Sequence, residues 1–200
     1  MTASRIRGVL LGALVLAAAA LLLAWSQTWY TVMLVPESGE TAPLTVGGDV
    51  AAGGLAPLAL TTLALVAALA LAGPVFRILL GVLGALLGVA IVAAVLVTVS
   101  DPVDASAPTI TDALGVSGEV TIAGLVAGTE ATAWPVVAVV FGVVVSVLGV
   151  LVALTARRWP TGGRRYSRTR TVIADPEAEP DPIAEWDALS DGDDPTTPAR

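Results

Sequence analysis

Two hundred residues that are 56% hydrophobic, with a mean hydropathy of +0.85, hold more apolar surface than a water-soluble domain can hide, which excludes an ordinary soluble globule. Cysteine and histidine are both absent, so disulfides, thiolate chemistry, imidazole metal ligands and the commonest general base are excluded as well. The net charge of −7 hides a segregation: all 10 basic residues are arginines, and they do not mix with the acids along most of the chain.

The first apolar run covers residues 8–25, behind Arg5 and Arg7. Two arginines before an apolar stretch also describe a secretory signal peptide, and Ala24-Trp25-Ser26 loosely resembles its cleavage site. The length is long for a signal core and adequate for a span, so an uncleaved anchor is expected. Residues 26–54 follow as an outer loop. Thr28 to Val35 is β-branched and aromatic, bounded by Pro36, and Leu44-Thr45-Val46 is a second short strand candidate stopped by Gly47-Gly48. A lone hairpin is marginal, and Gly118 to Ile122 in the other loop is the candidate third strand.

The second span is expected over 55–76, with Pro57 in its first turn, and the third over 78–99. Arg77 sits between them. One continuous helix would bury that charge at mid-membrane at a cost of about 2.5–3.5 kcal/mol, and Gly73-Pro74 adds a turn signal, so a tight hairpin is predicted. Residues 100–133, rich in Asp, Ser, Thr, Gly and Pro, read as a second outer loop. The fourth span, 134–156, opens on Trp134-Pro135. Beyond it lies a block of six arginines from Arg157 to Arg170, and then an Asp/Glu/Pro-rich stretch. The composition of residues 167–200 predicts a disordered acidic tail.

Arg5, Arg7, Arg77, Arg157, Arg158, Arg164 and Arg165 all flank apolar runs, whereas the two outer loops carry only acids: Glu37, Glu40, Asp49, Asp101, Asp104, Asp112, Glu119 and Glu130. The positive-inside rule then predicts an all-α membrane protein, a four-span helical bundle with a small β-rich outer element and both termini in the cytoplasm. All-arginine basic usage points to a GC-rich bacterial source and hence a multi-pass protein of the plasma membrane.

No Asp, Glu, Lys, Arg or His lies within the expected spans, which argues against proton relays and charged-substrate channels. Thr61, Thr62, Thr98 and Ser146 are expected to return their hydroxyls to carbonyls one turn back. Gly8-x-x-x-Gly12, Gly84-x-x-x-Gly88 and Gly142-x-x-x-Ser146 are small-residue pairs suited to close helix packing within the bundle, or to homo-oligomerisation or a membrane-protein partner. Trp25, Trp29, Tyr30, Trp134, Trp159 and Tyr166 are the expected interfacial anchors. The arginines beside the membrane suit anionic headgroups on the cytoplasmic side. No Ca²⁺ loop, phosphate-cradling loop, serine elbow or nucleic-acid module is present, so no metal, cofactor or catalytic residue is assigned.

Several segments together resemble the actinobacterial tryptophan-operon, or Trp biosynthesis-associated, membrane proteins: Trp25-Ser26-Gln27-Thr28-Trp29, Gly53-Gly54-Leu55-Ala56-Pro57, Trp134-Pro135, Arg157-Arg158-Trp159-Pro160 and Arg164-Arg165-Tyr166. The family has no established molecular activity, so the resemblance implies a metabolic context and no mechanism. The leading expectation is a non-enzymatic accessory protein acting through partner contact. The alternative, a carrier or exporter of a small neutral or aromatic metabolite, would need a polar lining that the spans lack.

Overall fold

The structure, a computed structural model, describes residues 3–35 and 42–159. Helix α1 (Ala3–Trp25) leads into strands β1 (Thr28–Leu34) and β2 (Ala42–Gly47) and a single turn, α2 (Gly48–Ala51). Helices α3 (Leu55–Leu71), α4 (Pro74–Ser100), α5 (Pro102–Leu114) and α6 (Glu119–Leu125) precede β3 (Val126–Ala131) and α7 (Trp134–Thr155), which closes on a 3₁₀ turn, Ala156–Arg158. The acidic stretch 167–200, with Arg164, Arg165 and Tyr166, lies outside the described residues.

Four apolar helices form a ring in which α1 packs on α3 and α7, and α4 packs on α7 and α3. Each buries one stripe at three- and four-residue spacing, as in α7, where Pro135, Ala138, Gly142, Val145, Gly149 and Val152 point inward. The opposite faces expose Leu16, Leu86, Val97, Val143 and Leu154, a belt of side chains that only hydrocarbon solvates without cost. Arg5–Trp25, Pro74–Ser100 and Trp134–Thr155 are long and apolar enough to cross a membrane. The expected second span falls short of them: α3 has 17 residues, about 26 Å at 1.5 Å per residue.

The hairpin between α3 and α4 also breaks earlier than expected. Pro74 has no N–H and disfavours helical geometry in the residue before it, so α3 stops at Leu71 and Gly73 becomes an extended N-cap with φ −73° and ψ 172°. Val75, Phe76 and Arg77 therefore belong to α4, correcting the expected spans 55–76 and 78–99. Arg77 sits in the first turn of a helix rather than in a loop.

Helices α4 and α7 approach each other closely. A Cβ on Gly81 would come within 2.6 Å of the Ala153 amide nitrogen, one on Gly88 would overlap the Ser146 backbone, and one on Gly149 would overlap Ala85. Gly84, Gly88, Gly142 and Ser146 all lie on this seam, together with Gly81 and Gly149, which were not singled out from sequence. Ser146 Oγ donates across it to the Ala85 carbonyl at 3.1 Å, not to its own preceding turn. Thr61, Thr62 and Thr98 do bond the carbonyls of Pro57, Leu58 and Ala94. Among the described residues Gly8 and Gly12 face no other helix: both are exposed, and a Cβ at either would meet nothing within 4 Å.

At the end of the bundle away from the arginines, β2-β1-β3 form an antiparallel sheet. Strand β1 pairs Val32 with Leu44 on one side and with Thr129 on the other. The third strand is Val126–Ala131, not the expected 118–122. Val120, Thr121 and Ile122 favour a strand by propensity, yet they form the helix α6, which buries Ile122 and leaves Val120 89% exposed; tertiary packing overrides propensity here. The segment 100–133 is likewise no irregular loop. Asp101 accepts a hydrogen bond from the Asp104 amide at 3.0 Å, Pro102 fills the first helical position of α5, and Gly115 ends it at φ 67°.

Candidate functional site

The described residues present chemistry at the two ends of the bundle. At the sheet end, Trp29 is fully buried and its Nε1 donates to the Ala24 carbonyl at 2.8 Å. Gly48 lies against the indole, where a Cβ would overlap its Nε1. Tyr30 stacks edge-on to Trp29 at 6.5 Å and 73°, and its hydroxyl donates to the Thr98 carbonyl at 3.3 Å. Neither ring lies at the lipid surface. The sheet closes over them, which removes Trp29 and Tyr30 from the expected set of interfacial anchors. Trp25 and Trp134 are half-buried at the ends of α1 and α7 nearest the sheet.

Burial pushes the Tyr30 phenol above its ordinary value of 10.0. The fold favours the neutral form, so the contribution is complete below pH 10.0 and is lost as the pH climbs through the raised value. Tyr30→Phe is therefore expected to remove about 1 kcal/mol at neutral pH and to flatten the loss of stability in alkali, as followed by denaturation at pH 8 and about 11.

Between α5 and α6 runs a groove of about 300 Å³ with Val103, Ala107, Ile122 and Val126 on its floor and Asp101, Asp104 and Glu119 on its rim. It continues past Pro108 and Thr111 to Asp112. A separate apolar crevice of about 290 Å³ opens beside Tyr30, lined by Leu96, Val99, Pro135 and Val139 where α4 and α7 diverge. Among the described residues no group of three or more Asp or Glu is placed to hold a metal ion.

At the arginine end, Arg7 Nη2 donates to the Ala70 carbonyl at 2.6 Å, capping the C-terminus of the short helix α3. Arg77 is only 4% exposed, and its guanidinium lies 5.5 Å from the centroid of the Trp159 ring. Arg77 Nε and Nη1 are enclosed and have no hydrogen-bond partner among the described residues. Trp159 is itself 3% exposed and donates Nε1 to Thr155 Oγ1 at 3.2 Å, so it is a bundle-packing residue and not the surface anchor expected. Arg5 and Arg157 are exposed, and Arg158 is described only through its backbone in the 3₁₀ turn. The Arg77–Trp159 stack joins residues 82 apart, and its one trace in sequence is that both flank apolar runs on the side of the arginines.

A family model described as tryptophan-associated transmembrane protein matches residues 11–196. No curated protein and no solved structure matches the chain.

Proposed function

The chain belongs to the tryptophan-associated transmembrane protein family, and on that premise we propose that it is a non-enzymatic accessory protein of the bacterial plasma membrane, tied to tryptophan biosynthesis and acting through contact with a partner. In this reading the chain crosses four times, with α3 as a short second span and with the arginine end, and so both termini, in the cytoplasm. The described arginines at one end and the carboxylates at the other support that orientation. The 17 residues of α3 sit at the lower limit of a spanning helix.

The observation that carries the reading is the acid-rimmed groove between α5 and α6, an exposed concavity with an apolar floor on the part of the molecule that projects from the bundle. The hydroxyls of Thr61, Thr62, Thr98 and Ser146, which a carrier would use to line a path, are bonded to backbone carbonyls instead. The open Gly8–Gly12 face of α1 accommodates a second helix, from another copy or from a partner.

A photo-crosslinking residue placed at Ala123, on the groove, is expected to capture a discrete protein in native membranes. The same probe at Leu154, 73% exposed on the lipid belt, is expected to yield no such adduct. Identical adduct patterns at the two positions would remove the basis for a partner at the groove.

A further inference from the structure

We infer that the arginine end holds a phosphate oxyanion, the headgroup of an anionic phospholipid, against Arg77 at the amino end of α4. This deepens the partner reading above and requires only that this end of the bundle meets a headgroup layer. The charge balance of the site motivates it. Arg77 is a cation withdrawn from water, with two donor nitrogens unpaired among the described residues. A buried charge without a partner is strongly destabilising, because desolvation is not offset by any hydrogen bond.

The surroundings add positive potential. Arg77 occupies the first turn of a 27-residue helix, where the backbone dipole is already positive. Pro74 offers no N–H, and the Arg77 amide is bonded to the Gly73 carbonyl at 2.9 Å. The first-turn amides of Val75 and Phe76 have no intrahelical acceptor. Arg7 brings a second guanidinium to this end of the bundle, held by its bond to the Ala70 carbonyl at the end of α3. The described carboxylates, Asp49, Asp101, Asp104, Asp112, Glu119 and Glu130, all belong to the segments at the sheet end. The Trp159 ring lies 5.5 Å from the Arg77 guanidinium carbon and attracts the cation without accepting a hydrogen bond from Nε or Nη1.

An anion with several acceptor oxygens answers every one of these observations, since helix amino ends and guanidinium donors both bind phosphate. At the depth where a bilayer-spanning helix begins, lipid phosphate is the concentrated source of such an anion.

Native mass spectrometry of the full chain, released from mixed phosphatidylglycerol and phosphatidylcholine micelles, tests this directly. The wild type is expected to retain one phosphatidylglycerol in preference to phosphatidylcholine. Arg77→Gln is expected to lower that retention about tenfold, Arg77→Lys to fall between, and Arg157→Gln, at an exposed arginine, to leave it unchanged. Should Arg77→Gln fail to fold, the comparison rests on Arg77→Lys and Arg7→Gln. A second arm adds inorganic phosphate to delipidated wild type in neutral detergent, with chloride at equal ionic strength as the control. A rise in melting temperature with phosphate, but no lipid preference, supports the oxyanion site and reassigns its source to the free ion. No lipid preference and no phosphate effect, or a preference that survives every Arg77 and Arg7 substitution, overturns the site while leaving the groove and its crosslinks untouched.

Discussion

Gly88→Leu is expected to destabilise the bundle by about 3 kcal/mol or more, the upper end of overpacking effects, because its neighbour cannot yield. The Cβ alone would overlap the Ser146 backbone and come within 2.7 Å of the Gly142 carbonyl oxygen. A flexible side chain in that place would rotate aside, whereas helix backbone moves only if α4 and α7 separate. Separation would also break the bond from Ser146 Oγ to the Ala85 carbonyl. Gly8→Leu is the matched control: the same substitution on an exposed face, with nothing within 4 Å, is expected to change the stability of the isolated chain by less than about 0.5 kcal/mol. Equilibrium unfolding in mixed detergent, followed by intrinsic tryptophan fluorescence, measures both. Equal stabilities for the two variants would show that the seam is not the contact described here.

Trp29→Ala is expected to cost about 3–5 kcal/mol, the range for deleting a buried aromatic side chain. The indole is fully enclosed, ties β1 to the end of α1 through the Ala24 carbonyl, and supports the turn at Gly48 and the ring of Tyr30. Its loss leaves a cavity beneath the central strand of the sheet. Trp25→Ala, at a half-buried ring four residues earlier, is expected to cost less than half as much. Limited proteolysis of the segment between α1 and α3 separates the two cases. Rapid cleavage is expected for Trp29→Ala and near-normal protection for Trp25→Ala, and the reverse order would return Trp29 to the role of a surface anchor.

These two residues mark how far one-dimensional reading reaches. Trp29 was expected among the headgroups because tryptophan just beyond an apolar run usually lies there. The features that reverse this are the bond from the indole to the Ala24 carbonyl and the turn at Gly48 that lies against the ring. No apolar periodicity announces that packing. Gly88 was recognisable as half of a small-residue pair, but so were Gly8 and Gly12, and spacing alone cannot tell a face against a helix from one against lipid. Other features are legible in the chain itself. Asp101-Pro102 opening α5 and Gly115 closing it are cap, first-position and stop signals in their usual order, obscured by a polar composition that reads as loop. Pro74, more than Arg77, sets the break between α3 and α4 for a reason fully contained in its own ring.

From its residues alone the chain reads as a membrane protein with apolar helices, arginines flanking the apolar runs, intervening loops that carry only acids and two strands after the first helix. Those properties follow from the length of apolar runs, the sidedness of charge and β-branched alternation, all of which are local or additive along the chain. Tertiary structure alone decides which glycines form the α4–α7 seam, which tryptophans are enclosed, where the third strand lies and that Arg77 meets Trp159. Each of these depends on contact between residues far apart in sequence, and close packing selects among faces that the linear pattern leaves equivalent.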